Sequence, residues 1–278
     1  MDAFVTSTAG VRSPRILYGT AWKKEETEGL VRTALQQGFR GIDTACQPKH
    51  YNESGVGAGV SSALHGLART DLYLQTKFTP VSGQDPARIP YDARAALADQ
   101  VSQSFAISLR NLRTDYLDCL VLHSPLPDLG QTLEVWRTLE HLVDGRGVRQ
   151  LGISNCYRLE QLEALYDSAR VKPAVLQNRF YAQTGYDREI RAFCRQRGIL
   201  YQSFWTLTAN PQVLAHRTVL QLASQYRRTP AQILFRYLTQ TGVVPLTGTR
   251  SETHMREDLA IFEFELAAPE LAALDALF

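Results

Sequence analysis

Cysteine is scarce in this chain of 278 residues: Cys46, Cys119, Cys156 and Cys194 stand far apart, and none forms a CxxC pair. That spacing argues against a disulfide framework or a thiolate metal site, so buried reduced thiols and no bound metal are expected. An excess of either charge is missing too. The formal net charge is +2, which gives no reason to expect nucleic acid or a membrane surface as partner. No apolar run approaches the ~18 residues of a membrane span. Met1 to Arg15 lack the charged-then-apolar order of a secretory leader. A cytoplasmic protein, monomeric or weakly dimeric and acting on a small molecule, is expected. A G-x-G-x-x-G turn after a strand and a Walker A loop are also lacking, so the usual dinucleotide and P-loop signatures do not apply. No linker, repeat or low-complexity tract divides residues 1–278, and one domain is expected.

What is there is an alternation. Apolar runs of strand length fall at Ile16–Tyr18, Gly41–Asp43, Leu72–Lys77, Cys119–His123, Val148–Ser154, Val175–Asn178, Leu200–Phe204 and Val243–Leu246. They lack clean polar alternation, as parallel strands covered on both faces do. Segments of helical period lie between them: Leu97, Val101, Phe105, Leu109 and Leu112 mark one face, and Leu133, Trp136, Leu139 and Val143 another. Thr229-Pro230 offers an N-cap with proline at the first helical position. About eight such units in this length favour a closed (β/α)8 barrel over an open doubly wound sheet.

In a parallel barrel, reactive groups collect at the C-terminal ends of strands. Asp43, Lys77 and His123 each close a strand, and Tyr51 lies in the loop after Asp43. A tyrosine hydroxyl, with an ordinary pKa of ~10, is a poor proton donor near neutrality unless a neighbouring ammonium lowers it. A carboxylate would hold that ammonium, and an imidazole could orient a carbonyl oxygen. The hydride that a carbonyl reduction needs must come from a cofactor, since side chains cannot supply it. The same lysine beside a carboxylate also suits a Schiff-base lyase or aldolase. Singly, each residue could equally be an N-cap, a packed loop ring, a solvated strand end or a satisfied core histidine.

The segments GFRGIDTA, LYLQTKF, DYLDCLVLHSP, VRQLGISNCY, GILYQSF and PLTGTRSETHMREDL resemble the aldo-keto reductase family in order and spacing, and the likeness covers nearly the whole chain. The resemblance implies a catalytic tetrad of Asp43, Tyr51, Lys77 and His123, with tyrosine as general acid. It also implies NADPH as cofactor, with NADH possible. The family places its tyrosine about five residues after the aspartate, whereas Tyr51 follows Asp43 by eight through CQPKH. Asn52, Glu53, Val56 and Gly57 match the motif that follows, and that register puts His50 on the tyrosine position. A longer loop is expected to swing Tyr51 back, with His50 the alternative. The lengthened loop also leaves open a non-catalytic, NADPH-binding regulatory role.

Further site residues follow from the same resemblance. Ser154, Asn155 and Gln177 match residues that hold the nicotinamide carboxamide, and Phe204 the aromatic stacked under its ring. Trp205, Thr206 and Leu207 stand where a Ser-Pro-Leu loop normally touches the pyrophosphate. Gly248, Thr249 and Arg250, ahead of a short helical segment with His254, Glu257 and Asp258, match the loop that binds the adenosine 2′-phosphate. A helix N-terminus beside an arginine suits that group. The lysine and arginine common in relatives near Gly248 and His254 are absent. Thr20 and Ala21 complete the cofactor set. Trp22, His123 and Ser124 are implied on the substrate side, where an open pocket tolerant of varied aldehydes and ketones is expected.

Overall fold

The computed structural model describes residues 2–63 and 66–278. Two short strands, β1 (Phe4–Thr6) and β2 (Arg12–Pro14), pair antiparallel. Eight more follow: β3 (Leu17–Gly19), β4 (Gly41–Asp43), β5 (Tyr73–Phe78), β6 (Cys119–Leu122), β7 (Leu151–Ser154), β8 (Val175–Arg179), β9 (Leu200–Phe204) and β10 (Val243–Thr247). These pair in parallel and close on themselves in the order β10-β3-β4-β5-β6-β7-β8-β9. Around them lie α1 (Thr27–Gln37), α2 (Glu53–Ala63), α3 (Leu97–Leu112), α4 (Leu129–Asp144), α5 (Leu159–Ser168), α6 (Arg188–Arg197), α7 (Pro211–Leu214), α8 (Arg217–Tyr226), α9 (Pro230–Gln240), α10 (Glu252–Leu259) and α11 (Ala268–Asp275). The expected (β/α)8 barrel is therefore the fold. Among the described residues, no helix is long and apolar enough to cross a membrane.

Local chemistry accounts for the elements that matter here. Thr229 caps α9 by accepting from the Gln232 amide, while the Gln232 side chain accepts the Thr229 N–H and Pro230 fills the first helical position. The long face read from Leu97 to Leu112 becomes α3, and the Leu133–Val143 face becomes α4, whose Asp128 cap receives the Gln131 amide at 2.9 Å. The main core lies between barrel and helices, with Trp136, Leu139, Ile153 and Phe235 fully enclosed. A second, smaller core fills the lower lumen from Leu17, Tyr73, Cys119, Val175 and Val244. Val11, in the turn between β1 and β2, joins that cluster, so the hairpin plugs the barrel floor. All four cysteines are free and buried.

The differences from the sequence pattern are local. The run expected over 148–154 is regular only from Leu151, with Val148 bridged to Leu117 below it. The hairpin and α2 carry no apolar period that would reveal them. In α2 small residues are there for approach: a Cβ on Gly57 would lie 2.0 Å from the Asn111 carbonyl of α3.

Candidate active site

Strand register brings the polar groups to one level. Asp43 on β4 sits beside Gln75 on β5, with Lys77 two residues further along the same face. Lys77 Nζ donates to both Asp43 carboxylate oxygens, at 2.7 and 2.6 Å, and to the Thr44 carbonyl at 2.8 Å. An ammonium has three N–H bonds, so all of them are spent. Both side chains are buried, and removing either partner of such a pair costs about 3–5 kcal/mol because the other charge is stranded.

The Lys77 ammonium lies 5.4 Å from the Tyr51 ring centroid, and that ring meets the His123 imidazole edge-on at 6.1 Å. The His50 ring packs at a tilt against Trp22, 4.0 Å between centroids, while its carbonyl accepts the Trp22 amide. Asn52 fixes the junction: its Oδ1 accepts the Gly55 amide at the start of α2, and its Nδ2 donates to the Lys24 carbonyl. Lys77 is expected to lower the Tyr51 phenol. Instead burial, followed by the Asp43 carboxylate, pushes it up, because Asp43 already compensates the ammonium. His123 goes the other way. Burial, then Lys77 and His50, bring its imidazole down to about 3, so it is neutral near pH 7. Thr79 Oγ1 lies 2.6 Å from its Nδ1, which leaves Nε2 uncommitted.

These groups open onto a cavity of about 1180 Å³ that crosses the barrel mouth to α10. Ala21, Trp22, Asp43, His50, Tyr51 and His123 line one side, and Ser154, Asn155, Gln177 and Phe204 the middle. Trp205, Thr206 and Leu207 continue the wall to Gly248, Thr249, His254, Glu257 and Asp258. Four anticipated residues stay off it, among them Lys77, buried behind Asp43. Thr20 is buried with its hydroxyl on the Asp43 carbonyl, Arg250 pairs with Glu26 and the Trp22 carbonyl outside, and Ser124 does not reach the wall. Trp22, Asn155 and Trp205 adopt left-handed backbone at φ 62°, 52° and 56°, a cost that clusters at this mouth. Asp258 is buried with one hydrogen bond, from Thr247 at 2.6 Å, and burial raises its carboxyl to about 7.

A polar column runs beneath the pair. Asp43 Oδ1 accepts from the amides of Gln75 and Gln177 at 2.7 and 3.0 Å. Both amides also donate to Gln202 Oε1. Gln75 Oε1 accepts from Tyr73, Tyr73 from Gln150, and Gln150 from Ser7 in the floor hairpin. Gln177 thus spends its amide nitrogen inward, leaving its oxygen toward the cavity side.

The aldo/keto reductase family model matches residues 12–278. The chain belongs to the aldo/keto reductase family. A glyoxal reductase of Bacillus subtilis is 33% identical over 253 residues, covering 91% of this chain and 83% of its own. An uncharacterized oxidoreductase, YtbE, of the same organism is 30% identical over 281 residues, with 100% and 93% covered. The solved aldo/keto reductase of Brucella melitensis superposes with a TM-score of 0.83 at 28% identity, over 99% of both chains. As a member of this family, the protein is a nicotinamide-dependent oxidoreductase acting on small carbonyl compounds.

Three features of this aldo/keto reductase were not singled out from its sequence. Lys23, nearly buried, donates its ammonium to the Gly248 carbonyl, so a cation reaches the α10 loop from the opposite end of the chain. Burial, then Arg250, lowers Lys23 to about 8, against a smaller opposing pull from Glu26. Gln75, Gln150 and Gln202 form the column, and Arg179 enters the cavity. The available signal was spacing: Arg179 follows Gln177, and Lys77 follows Gln75, by two residues on one strand face.

Proposed function

We propose that this reductase converts small aldehydes and ketones to alcohols with NADPH, and that Tyr51 delivers the proton. The observation that carries this reading is the Tyr51 ring held between the Asp43-bound Lys77 ammonium and a neutral His123. The nucleotide fits the long cavity, whose wall offers a flat aromatic at Phe204 and amide and hydroxyl groups at Ser154, Asn155 and Gln177. When bound, it supplies the hydride. A raised phenol pKa keeps Tyr51 protonated until negative charge develops on the substrate oxygen. A neutral His123 can hydrogen-bond that oxygen through Nε2, which orients the carbonyl. Lys77 and Asp43 act on Tyr51 by position and field. Preference for NADPH over NADH is read from the α10 loop, where Thr249 lines the cavity, Lys23 reaches the Gly248 carbonyl, and Arg250 would have to leave Glu26 to meet a 2′-phosphate. The glyoxal and methylglyoxal reductases among its relatives point to short dicarbonyls as first substrates to assay.

The Schiff-base reading is weakened by Lys77 itself, whose amine is fully bonded and 1% exposed. Tyr51→Phe is expected to lose about 10²–10⁴-fold in kcat/KM while holding NADPH as the parent does. Parental turnover by that variant would overturn the assignment. Loss of turnover in His50→Ala, with Tyr51→Phe active, would move the role to His50.

A further inference from the structure

Among the described residues, Arg179 is the only lysine or arginine on the cavity wall. Among the described residues no carboxylate lies within ion-pair distance of it, and its Nε is buried without a hydrogen-bond partner. The guanidinium is nonetheless firmly placed. It lies 4.1 Å from the Trp205 ring centroid and 5.2 Å from that of Tyr181. The Arg179 backbone amide donates to Tyr157 Oη, whose hydroxyl donates in turn to Asn155. A guanidinium held against an indole presents its N–H edge sideways, the geometry that suits a forked contact with two oxygens of one anion. With no counter-carboxylate, the guanidinium has its charge to offer an anion in the cavity.

Position says which anion. In the closed order, β8 stands four strands from β4, directly across the mouth, so Arg179 lies opposite the loop that carries Tyr51. Gln177 reaches Asp43 across that mouth at 3.0 Å, so the choice of anion rests on the neighbours of Arg179. Arg179 pairs in register with Phe204 and its guanidinium lies on Trp205, where the cavity wall continues toward α10. We propose that Arg179 binds the diphosphate of the nicotinamide dinucleotide, a proposal that rests on the nucleotide lying along this cavity as read above.

The test is a tryptophan-fluorescence titration of the full chain with NADPH and with NADH, at low and high salt. Arg179→Gln is expected to weaken both nucleotides by a similar factor, roughly tenfold or more, with a shallower salt dependence than the parent. Arg179→Lys, which keeps the charge and loses the fork, is expected to fall between the two. Arg250→Ser serves as the contrast and is expected to weaken NADPH alone, since the diphosphate is common to both nucleotides. Parental affinity for both nucleotides in Arg179→Gln and Arg179→Lys overturns the proposal. So does an unchanged nucleotide affinity with a raised KM for glyoxylate and not for a neutral aldehyde, which would give Arg179 to a substrate carboxylate. Failure of the parent protein to bind either nucleotide would instead remove the cofactor reading itself.

Discussion

Asp258 lines the end of the cavity nearest the α10 loop, and its environment makes it a pH-dependent element of stability. Its carboxyl moves from an ordinary 3.8 to about 7 because burial outweighs the single Thr247 hydrogen bond. Between those values the folded chain keeps a proton that the unfolded chain releases, so this residue's contribution is most favourable in acid and is lost as pH rises through 7. Asp258→Asn remains uncharged at every pH. It is expected to melt higher than the parent at about pH 8 and to converge with it at about pH 4, as thermal unfolding would read out. A constant offset across that range would mean that the carboxyl is not shifted. The same residue bears on binding, because an ionised Asp258 would oppose a phosphate in that corner.

At the scale of elements, the helix that was hardest to see governs the loop that matters most. α2 begins at the Asn52 cap, immediately after Tyr51, and packs so closely on α3 that Gly57 has no room for a side chain. Its absent Cβ would meet Asn111 O at 2.0 Å and Leu112 Cα at 2.9 Å, both backbone atoms that cannot step aside. Gly57→Ala is expected to cost about 1–3 kcal/mol and to lower kcat with little change in nucleotide affinity, since it displaces the Tyr51 loop alone. Gly29→Ala in α1, where nothing lies within 4 Å, is the control and is expected to stabilise by about 0.5–1 kcal/mol. The contrast also explains what could be read from the chain. Barrel strands such as Gly41–Asp43 and Leu200–Phe204 are bounded by their own apolar runs, and Asp43, Lys77 and His123 are marked by standing at strand ends. α2 hides because its glycines answer to a neighbouring helix. Arg179 and the glutamines hide because their partners are fixed by strand register, which no single segment encodes. Lys23 and Gly248 are remote in sequence and meet only when the barrel closes.

At the scale of the whole molecule, the lumen divides into an apolar floor and a hydrogen-bonded upper half, and Gln75 joins them. Its amide donates to Asp43 and Gln202, and its oxygen accepts from Tyr73 and Gln202. Gln75→Leu strands the Tyr73 hydroxyl and the Gln202 amide in a dry interior, at about 1–3 kcal/mol for each group left unpaired. Lower thermal stability and a several-fold lower kcat at parental KM are expected. An unchanged kcat would show that Lys77 and Gln177 suffice to hold Asp43.

The column has a sense of direction. A carboxylate that can only accept obliges the Gln75 amide to turn its nitrogen upward and its oxygen downward. Tyr73 must then point its proton up, Gln150 must offer nitrogen to Tyr73, and Ser7 is left to give its proton to Gln150. One negative charge at the barrel mouth thereby dictates how a serine in the floor hairpin is oriented, four hydrogen bonds away.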